Sequence, residues 1–484
     1  MVNVALPAIT RDLAAPVATT QWVINAYTLL LSAFLLVGGA AADKFGRRRM
    51  FITGTAVFTV ASIACALSAS AVQLILARAV QGIGAALLIP CSLAIIGASF
   101  PEAERGRAIG TWAGFSAIAA ALGPLLGGWI VDHLTWHAIF FVNPFLAAPA
   151  IWIAWRHLSE SYDPEAPPGI DWSGALMAFG GLGGVAYGLI ALGDRGARDP
   201  PVVAALAAGV LLLIVFVWHE GRTRSPMMPP KLFRSRTFSG INVLTLLLYG
   251  ALGGAFFLLP FDLIQVHGYS ATVAGASFLP FTVIMGALSR WSGGLLDRLG
   301  ARLPLTIGPA IVAAGFALFA LSRPTASYWT GFSLPITIIG LGMAVAVAPL
   351  TTAVINAVPA HQTGLASGIN NAVASVATLM AVAIFAAVVL GGFNRALDHQ
   401  LQQPALSADV RQAIEQAHGK FVIAPSIPSE RTEARMAAEA VIKAALADGI
   451  RLAMVLAATL ALAGAICAAF TIPKSAGRRA RART

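Results

Sequence analysis

Two short segments place a carboxylate between glycines and follow it with guanidinium groups. Both obey the pattern G-x-x-x-D-x-x-G with basic residues at or after its end. The residues are Gly39, Asp43, Gly46, Arg47 and Arg48 in the first segment and Gly293, Asp297, Gly300 and Arg302 in the second. A carboxylate beside a cluster of cations can form ion pairs with them, which is an electrostatic rather than a catalytic arrangement; we call these two segments the latch segments, after the role that the family resemblance described below implies. The alternative is a pair of charged turns that only set topology.

Arg78 and Asp262 are charged residues inside apolar stretches. A cation in the hydrocarbon region costs about 2.5–3.5 kcal/mol on insertion scales, so Arg78 either reaches the bilayer surface or lines a central cavity. In the second case its fixed charge favours ionisation of a nearby carboxylate. Asp262 is either a protonatable or cation-binding group or an interfacial cap. Both residues are candidates for proton coupling.

A third pattern consists of small residues at helical spacing. Gly123 and Gly127 form one small-xxx-small pair, and Pro124 and Gly128 form another. Such pairs let helix backbones approach closely, and a proline removes a backbone hydrogen bond and permits a kink. The pattern predicts either a tight, kinked contact with a functional role or ordinary helix packing.

Polar side chains within the apolar stretches are candidates for lining a cavity. Those assigned to a substrate cavity are Asn25, Tyr27, Gln81, Asn356 and Asn370. Each of these residues alone is more often a helix–helix hydrogen bond or an interface anchor. Their assignment rests on position along the helices only.

The composition identifies the elements that must hold these residues. Of 484 residues, 58% are hydrophobic and 11% charged, and the mean hydropathy is +0.78. A water-soluble fold cannot hide that much apolar surface, so a soluble enzyme, a disordered chain and a fibrous protein are excluded. No G-x-x-x-x-G-K-[ST] or H-E-x-x-H motif occurs, which argues against an ATP-driven pump and a metallohydrolase. The three cysteines form no metal or disulfide spacing and are expected to be inert.

Hydropathy predicts thirteen full membrane spans, because each needs about 20 mostly apolar residues. They cover 22–42, 51–69, 74–99, 108–131, 138–155, 173–193, 201–218, 239–264, 271–296, 303–321, 329–355, 364–391 and 449–472. The first nine residues are apolar but too short to span, and they carry no basic region typical of a signal peptide. Our hypothesis is that the natural start lies about 15–20 residues upstream, where a full bilayer helix would be completed. That would make fourteen spans.

Lys and Arg residues in the short loops predict the orientation. If the loop at 43–50 is cytoplasmic, the cytoplasmic segments carry nineteen Lys or Arg residues and the opposite short loops carry four. By the positive-inside rule both termini are then cytoplasmic. The net charge of +11 is explained by topology, so no nucleic-acid partner is expected. The basic tail at 473–484 is a candidate for contact with anionic lipid headgroups.

Four stretches together resemble the major facilitator superfamily, and within it the fourteen-helix drug:proton antiporter branch. They cover 2–7, 39–49, 76–85 and 122–128, the last being similar to the family's antiporter motif. The two latch patterns also form an internal repeat, which is typical of transporters with a substrate path between two halves. Three departures stand out. The usual acidic residue before Asn3 would precede Met1, Ala119 replaces a glycine, and His137-Ala138 replaces a basic-aromatic pair.

The resemblance implies an all-α integral membrane fold of two six-helix bundles plus two accessory helices, with the first helix truncated. The implied parts are a bundle at 1–155, a linker with the accessory helices at 156–238, a second bundle at 239–472 and a basic tail at 473–484. The second bundle includes a long outer loop at 392–448, expected to be partly helical and to lie on the surface.

The resemblance also implies roles for the candidate residues. Asp43 would face the helix that begins near Thr363 in the other half, and Arg105 would complete that latch. Arg78 would take part in proton coupling, and the motif at 122–128 would seal the cavity against leak.

The implied function is proton-coupled export of small, amphipathic or drug-like compounds across the bacterial inner membrane by alternating access. The expected partners are the substrate, protons and the bilayer, with no enzyme activity, no cofactor, no metal and a monomeric state. Two alternatives stay open. The protein is a specific exporter of an endogenous metabolite or self-made antibiotic, or it is a non-transporting membrane sensor or assembly partner on the same scaffold.

Overall fold

Regular secondary structure is helical throughout the part of the chain that the structure describes. The computed structural model describes residues 1–100, 115, 119, 122–162, 169–196, 198–223, 225–322, 328–358, 363–402, 407–417 and 432–473, with no strand in these ranges. The helices are α1 (Val2–Asp12), α2 (Val17–Phe45), α3 (Arg47–Ala66), α4 (Ala71–Ser99), α5 (122–133), α6 (Ala138–His157), α7 (Trp172–Arg195), α8 (Pro200–Glu220), α9 (Arg236–Phe261), α10 (Ala271–Ala276), α11 (Leu279–Leu299), α12 (Arg302–Leu321), α13 (Leu334–Asn356), α14 (Thr363–Leu401), α15 (Ala408–Ala417) and α16 (Thr432–Thr471). The predicted all-helical fold is confirmed.

Twelve described helical segments are long and apolar enough to cross a bilayer. They coincide with twelve of the thirteen predicted spans, from Thr19–Phe45 to Glu433–Thr471. The remaining span, predicted at 108–131, lies mostly outside the described residues, and its last part forms α5. Helix α1 has 11 residues, which reach about 16 Å at 1.5 Å per residue. As expected, this segment alone is too short to cross a hydrocarbon core of about 30 Å.

The helices pack in two groups. In the first group α4 packs against α2 and α3, and α3 packs against α6. In the second group α9 contacts α14 and α16, α12 contacts α13 and α16, and α11 packs against α13. Large apolar side chains fill these contacts, including Phe140 in the first group and Phe316 and Phe385 in the second. The buried side chains of both groups belong to one continuous apolar cluster, which also includes Val4 and Leu6 of α1.

One helix contact occurs in both groups. In the first, Gly54 of α3 meets Gly84 of α4, and a Cβ on either would lie 2.9 Å from the carbonyl oxygen of the other. In the second, Gly308 of α12 and Gly342 of α13 meet in the same way, at 2.8 and 2.6 Å. Only glycine permits such a close backbone approach. The equivalent contacts agree with the internal repeat predicted from the two latch patterns.

Helices α7 and α8 form a separate pair. They pack against each other, and α7 also contacts α2 of the first group and α14 of the second. Leu182 and Ala186 of α7 are buried in a small cluster with Leu29 and Leu379. The accessory pair therefore lies over the junction between the two groups.

The spanning helices connect two faces of the molecule. Near the start of α2, Thr20 hydrogen-bonds Thr10 of α1 at 3.0 Å, whereas the residue after α2, Gly46, lies against Glu160. We call the end that carries Gly46 and Glu160 the Arg47 face. The opposite end carries the end of α1 and, close to it, Asp132 of α5. We call it the Asp132 face.

The segment predicted as a long loop at 392–448 contains more helix than hydropathy indicates. Helix α14 continues to Leu401, α16 begins at Thr432, and α15 lies between them and packs against both. Ile414 of α15 and Ile442 of α16 are fully or almost fully buried. Hydropathy misses these extensions because their helices are amphipathic rather than apolar on every side.

Candidate substrate pathway and gates

The first latch segment forms a sharp turn on the Arg47 face. Helix α2 ends at Phe45, α3 begins at Arg47, and Gly46 between them has a φ of 106°. A side chain at this φ would be strained, which explains the glycine. Arg47 donates from Nε and Nη2 to Asp43 Oδ1 at 3.1 and 2.9 Å. Asp43 is thus ion-paired within its own helix group, and Gly39, one turn earlier, packs against Pro90 of α4.

Glu160 organises this turn, although sequence reasoning did not select it. Its carboxylate accepts hydrogen bonds from the backbone N–H groups of Arg48 and Arg49 at 2.9 and 3.2 Å. It caps the first turn of α3, where unpaired N–H groups and the helix dipole favour a negative charge. Arg48 also donates to the carbonyl of Leu158 at 3.0 Å. The segment after α6 is therefore fixed to the start of α3.

Replacing Glu160 with alanine is expected to lower the stability of the protein by about 1–2 kcal/mol, since a capping carboxylate is lost from a helix N-terminus. The thermal midpoint of purified protein in detergent measures the effect. The Glu160→Gln variant keeps one acceptor oxygen and should fall between wild type and Glu160→Ala. An alanine variant as stable as wild type would contradict the capping role.

The second latch segment also turns at a glycine with positive φ between two helices. Helix α11 ends at Leu299, α12 begins at Arg302, and Gly300 between them has a φ of 72°. The side chains of Asp297 and Thr363, and the whole of Arg105, lie outside the described residues. The latch between Asp43 and the start of α14 therefore stays a prediction.

Arg78 lies in the interior of the first helix group, with only 7% of its surface exposed. Its Nε donates to the carbonyl of Val23 at 3.0 Å, and its Nη1 donates to Oε1 of Gln81. The guanidinium carbon also lies 4.2 Å from the centre of the Tyr27 ring, a cation–π geometry. Arg78 does not reach the bilayer surface. The structure brings three of the candidate residues, Arg78, Tyr27 and Gln81, into one cluster.

A polar chain leads from this cluster to α3 and α6. Gln81 donates from Nε2 to Ser62 Oγ at 3.0 Å, and Ser62 donates to the carbonyl of Phe140 at 3.0 Å. Asn143 donates to the same Ser62 oxygen at 2.6 Å. Four helices therefore hold Arg78 in place through hydrogen bonds that sequence spacing does not reveal.

The other cavity candidates are separate from Arg78. Asn25 is fully buried, and neither its amide nitrogen nor its amide oxygen has a hydrogen-bond partner among the described residues, which suits a ligand or water contact. Asn370 donates to Asn242 and Thr245 at 3.1 and 2.8 Å, which is a helix–helix bond within the second group. Asn356, the last residue of α13, is exposed.

The glycine motif of α5 forms a close backbone contact with α10, the short helix that follows α9 on the Asp132 face. A Cβ on Gly128 would overlap the carbonyl of Ala271 in α10, and a Cβ on Gly275 of α10 would overlap the carbonyl of Pro124. A Cβ on Gly127 would lie 2.6 Å from the Cα of Met1, whereas a Cβ on Gly123 would lie 3.8 Å from the Met1 nitrogen. The small residues of α5 therefore permit backbone contact across the junction.

Asp132 strengthens this junction, and sequence reasoning missed it. Its carboxylate accepts hydrogen bonds from the backbone N–H groups of Ala271 and Thr272 at 3.0 and 2.6 Å. Partial burial acts to raise the pKa of Asp132, but the hydrogen bonds from Thr272 and Ala271 outweigh it and hold the pKa below its usual value. An open cavity of about 840 Å³ on this face is lined by both groups, including Asp132 and Tyr269. Asp132 links the groups in the state that the structure shows.

Asn in place of Asp132 is expected to weaken closure of the Asp132 face. The substitution removes a charged hydrogen-bond acceptor from an exposed site. We therefore expect the free energy of closure to become less favourable by about 1 kcal/mol, which lowers the closed-to-open ratio roughly fivefold. Thiol labelling of a cysteine at Thr135, which lines the cavity, measures closure, with Asp199→Asn as the control, since Asp199 pairs with Arg195 and lines neither cavity. Because the folded-state pKa is lowered, the stabilisation is present above the ordinary carboxyl pKa and is lost only as pH falls through the lowered value. Titration of Asp132 should therefore not change the labelling rate between about pH 5 and 8. A closed-to-open ratio in Asp132→Asn equal to that of wild type would contradict a role of Asp132 in closure.

Several known proteins are similar to this chain over nearly its whole length. The multidrug resistance protein Stp of Mycobacterium tuberculosis is 32% identical over 471 residues, 96% of this chain and 87% of that protein. The tetracenomycin C resistance and export protein of Streptomyces glaucescens is 31% identical over 475 residues, 97% and 88% of the two chains. The drug efflux pump JefA of Mycobacterium tuberculosis is 32% identical over 485 residues, 97% and 94%.

Solved structures share the fold of this chain, and a family model gives its classification. A bacterial homologue of the human lysosomal transporter Spinster, in an inward-facing and unoccupied conformation, has a TM-score of 0.61 at 15% identity and covers 96% of this chain and 93% of its own. A POT family transporter has a TM-score of 0.63 at 12% identity, covering 96% and 91%. The protein-family model whose description is Major Facilitator Superfamily matches residues 1–382 of this chain. This chain, a multi-pass membrane protein, therefore belongs to the major facilitator superfamily of transporters and is not an enzyme.

Proposed function

We propose that this protein exports small amphipathic compounds from bacteria in exchange for protons, by alternating access. The observation that carries the proposal is the contact of α5 with α10, where a close backbone approach and the Asp132 carboxylate hold the start of α10. Opening of this contact would leave the contacts of α4 with α2 and α3, and those of α9 with α14 and α16, in place. The curated relatives named as multidrug and antibiotic resistance exporters support the direction of transport.

The Arg47 face is cytoplasmic in this proposal. This assignment follows the sequence-based orientation, in which the segments predicted to be cytoplasmic carry nineteen Lys or Arg residues and include the turn at Arg47. The membrane is then the bacterial inner membrane, with both ends of the chain inside. The structure would represent a state closed toward the outside.

The second gate is the predicted latch at Asp43. In the described state Asp43 is paired with Arg47, so its proposed contact with the start of α14 belongs to the state that is closed toward the cytoplasm. Each gate would then consist of a carboxylate facing backbone N–H groups of the other half, Asp132 outside and Asp43 inside. The two contacts would form in alternate states.

Proton and substrate must favour different states, because a ligand with equal affinity for both states shifts neither. Arg78 is a fixed cation inside the first group, held by Gln81 and by the ring of Tyr27. Its positive charge would make binding of a second cation nearby less favourable and would favour the ionised form of a nearby carboxylic acid. No bound cofactor enters the proposal, since the proton gradient supplies the energy.

Dye efflux in everted membrane vesicles tests the proposal. An imposed pH step should drive dye movement in vesicles that contain the protein, and a proton uncoupler should abolish it. Vesicles without the protein provide the baseline. Dye movement that is unchanged by the uncoupler, or equal in both vesicle types, would refute proton-driven export.

A narrower candidate function is export of one endogenous antibiotic or metabolite. It is favoured by the relative named for both resistance to and export of tetracenomycin C. A panel of unrelated dyes and antibiotics separates the two functions. Transport of a single chemical class would support the narrow function, and transport of several classes would support the broad one.

A further inference from the structure

The turn that follows α9 holds a buried carboxylate that the gates do not use. Asp262 is 5% exposed and begins a π-helical turn, Asp262–Val266. Resting on the proposed function, we propose that Asp262 and His267 form a proton-binding site that opens toward the Asp132 face and controls closure of that face.

The two side chains form a defined pair. His267 Nδ1 lies 3.8 Å from Asp262 Oδ1 and 3.2 Å from the backbone carbonyl oxygen of Asp262. A carbonyl only accepts, so Nδ1 is the donor nitrogen and Nε2 is left to gain or lose a proton. The ring of Phe332 meets the imidazole edge-on at 4.7 Å between centroids. The packing fixes the imidazole beside the carboxylate.

A small cavity connects this pair with the surface. Its volume is about 100 Å³, and its polar lining includes Asp262, His267, Asp448 and Arg451. The side chains of Asp448 and Arg451 are 63% and 49% exposed, which places them at the mouth. Drug-sized ligands need roughly 300 Å³ or more, whereas a water molecule occupies about 30 Å³. The cavity therefore suits water and protons rather than the exported compound.

The elements around the pair contribute few other charges. Asp448 and Arg451 on α16 are the charged groups of the described lining, and Arg451 is anchored by a 2.9 Å hydrogen bond from Nε to the carbonyl of Ala320. Helix α10 has no ionisable side chain. The remaining described wall is formed by Phe319, Ser322, Phe332, Ala447, Ile450 and Met454. A proton that enters this cavity thus meets Asp262 and His267 as its buried acceptors.

The same short segment joins the pair to the gate. Tyr269 N–H donates to the carbonyl of Leu263 at 2.9 Å, Gly268 has a φ of 71°, and Ala271 N–H donates to Asp132. When Nε2 of His267 carries no proton, the imidazole is neutral and the pair has the single negative charge of Asp262. When Nε2 gains a proton, the positive imidazolium makes the pair neutral overall. A buried site favours the neutral state and a closer contact. Movement of His267 is then transmitted through Gly268 to the residues that Asp132 holds.

The test uses purified protein in proteoliposomes with Asp262→Asn and His267→Gln. The matched control is Asp199→Asn, an aspartate paired with Arg195 between α7 and α8 and remote from the cavity. Three quantities are measured: pH-driven substrate efflux, substrate counterflow without a pH gradient, and maleimide labelling of Thr135→Cys as a function of pH in a cysteine-free background.

We expect both variants to lose roughly tenfold or more of pH-driven efflux, because the proton no longer favours one state over the other. Counterflow should stay within about twofold of wild type, since exchange needs no net proton movement. The pH dependence of labelling should disappear in both variants and persist in Asp199→Asn.

If both variants show the efflux rate and the pH-dependent labelling of the wild-type protein, the proposed proton-binding site is refuted. Loss of counterflow in both variants would also overturn it, because that result marks a structural role. A wild-type protein that ignores the pH gradient would instead refute the proposed function itself. The two failures are therefore distinguished by the wild-type measurement.

Discussion

The Arg78→Lys variant is expected to retain its fold and to lose roughly tenfold or more of pH-driven efflux. The guanidinium group bonds Val23 through Nε and Gln81 through Nη1 while its plane faces Tyr27. An ammonium group has no fork that serves these directions together, and it can lose its proton when buried. Losing one buried hydrogen bond to a charged group costs about 1.5–3 kcal/mol, and about 1.4 kcal/mol is a factor of ten. Efflux in everted vesicles after a pH step measures the loss.

A matched arginine is available as the control for this substitution. Arg195 is 54% exposed and pairs with Asp199 at 3.8 Å, so Arg195→Lys should behave as wild type. Expression and detergent elution profiles confirm that both variants are folded. Full pH-driven efflux by Arg78→Lys would exclude a role in coupling and leave Arg78 a packing residue.

The Gly128→Leu variant is expected to prevent closure of the Asp132 face. A Cβ at this position already overlaps the carbonyl of Ala271, and leucine adds three further carbons to that contact. Because both partners are backbone atoms of packed helices, they cannot rotate away as a side chain does. We expect transport to fall about tenfold or more, with continuous labelling of a cysteine at Thr135.

The control for Gly128→Leu adds the same volume where space is open. A Cβ on Gly391 of α14 would meet no atom within 4 Å, so Gly391→Leu should transport normally. If Gly128→Leu transports and closes like wild type, the α5–α10 contact is not a gate.

Hydropathy and short motifs predict much of this fold. The spans follow from apolar runs, and the turns at Gly46 and Gly300 follow from the repeated glycine pattern, since both have positive φ. The pattern also places Asp43 beside Arg47, because the two are one helical turn apart. These features depend on neighbours in sequence, which is why sequence reasoning finds them.

Contacts between distant segments could not be predicted in the same way. Glu160 caps a helix that begins more than 100 positions earlier, and Asp132 caps α10 from 139 positions away. Each looks like an ordinary loop carboxylate until the fold places a helix start against it. The pairing of Asp262 with His267, five positions later, was not predicted either, because it depends on how the chain leaves the end of α9.

The position of α7 over α2 and α14 has a consequence for the surrounding lipid. Where those two helices meet, a transporter with two moving halves has a lateral seam, and acyl chains are its immediate neighbours. Leu182 and Ala186 cover that seam, while glycines at 181, 184 and 188 lie against α8 and permit its close packing. In the proposed mechanism the accessory pair covers this seam and separates lipid acyl chains from the transport route.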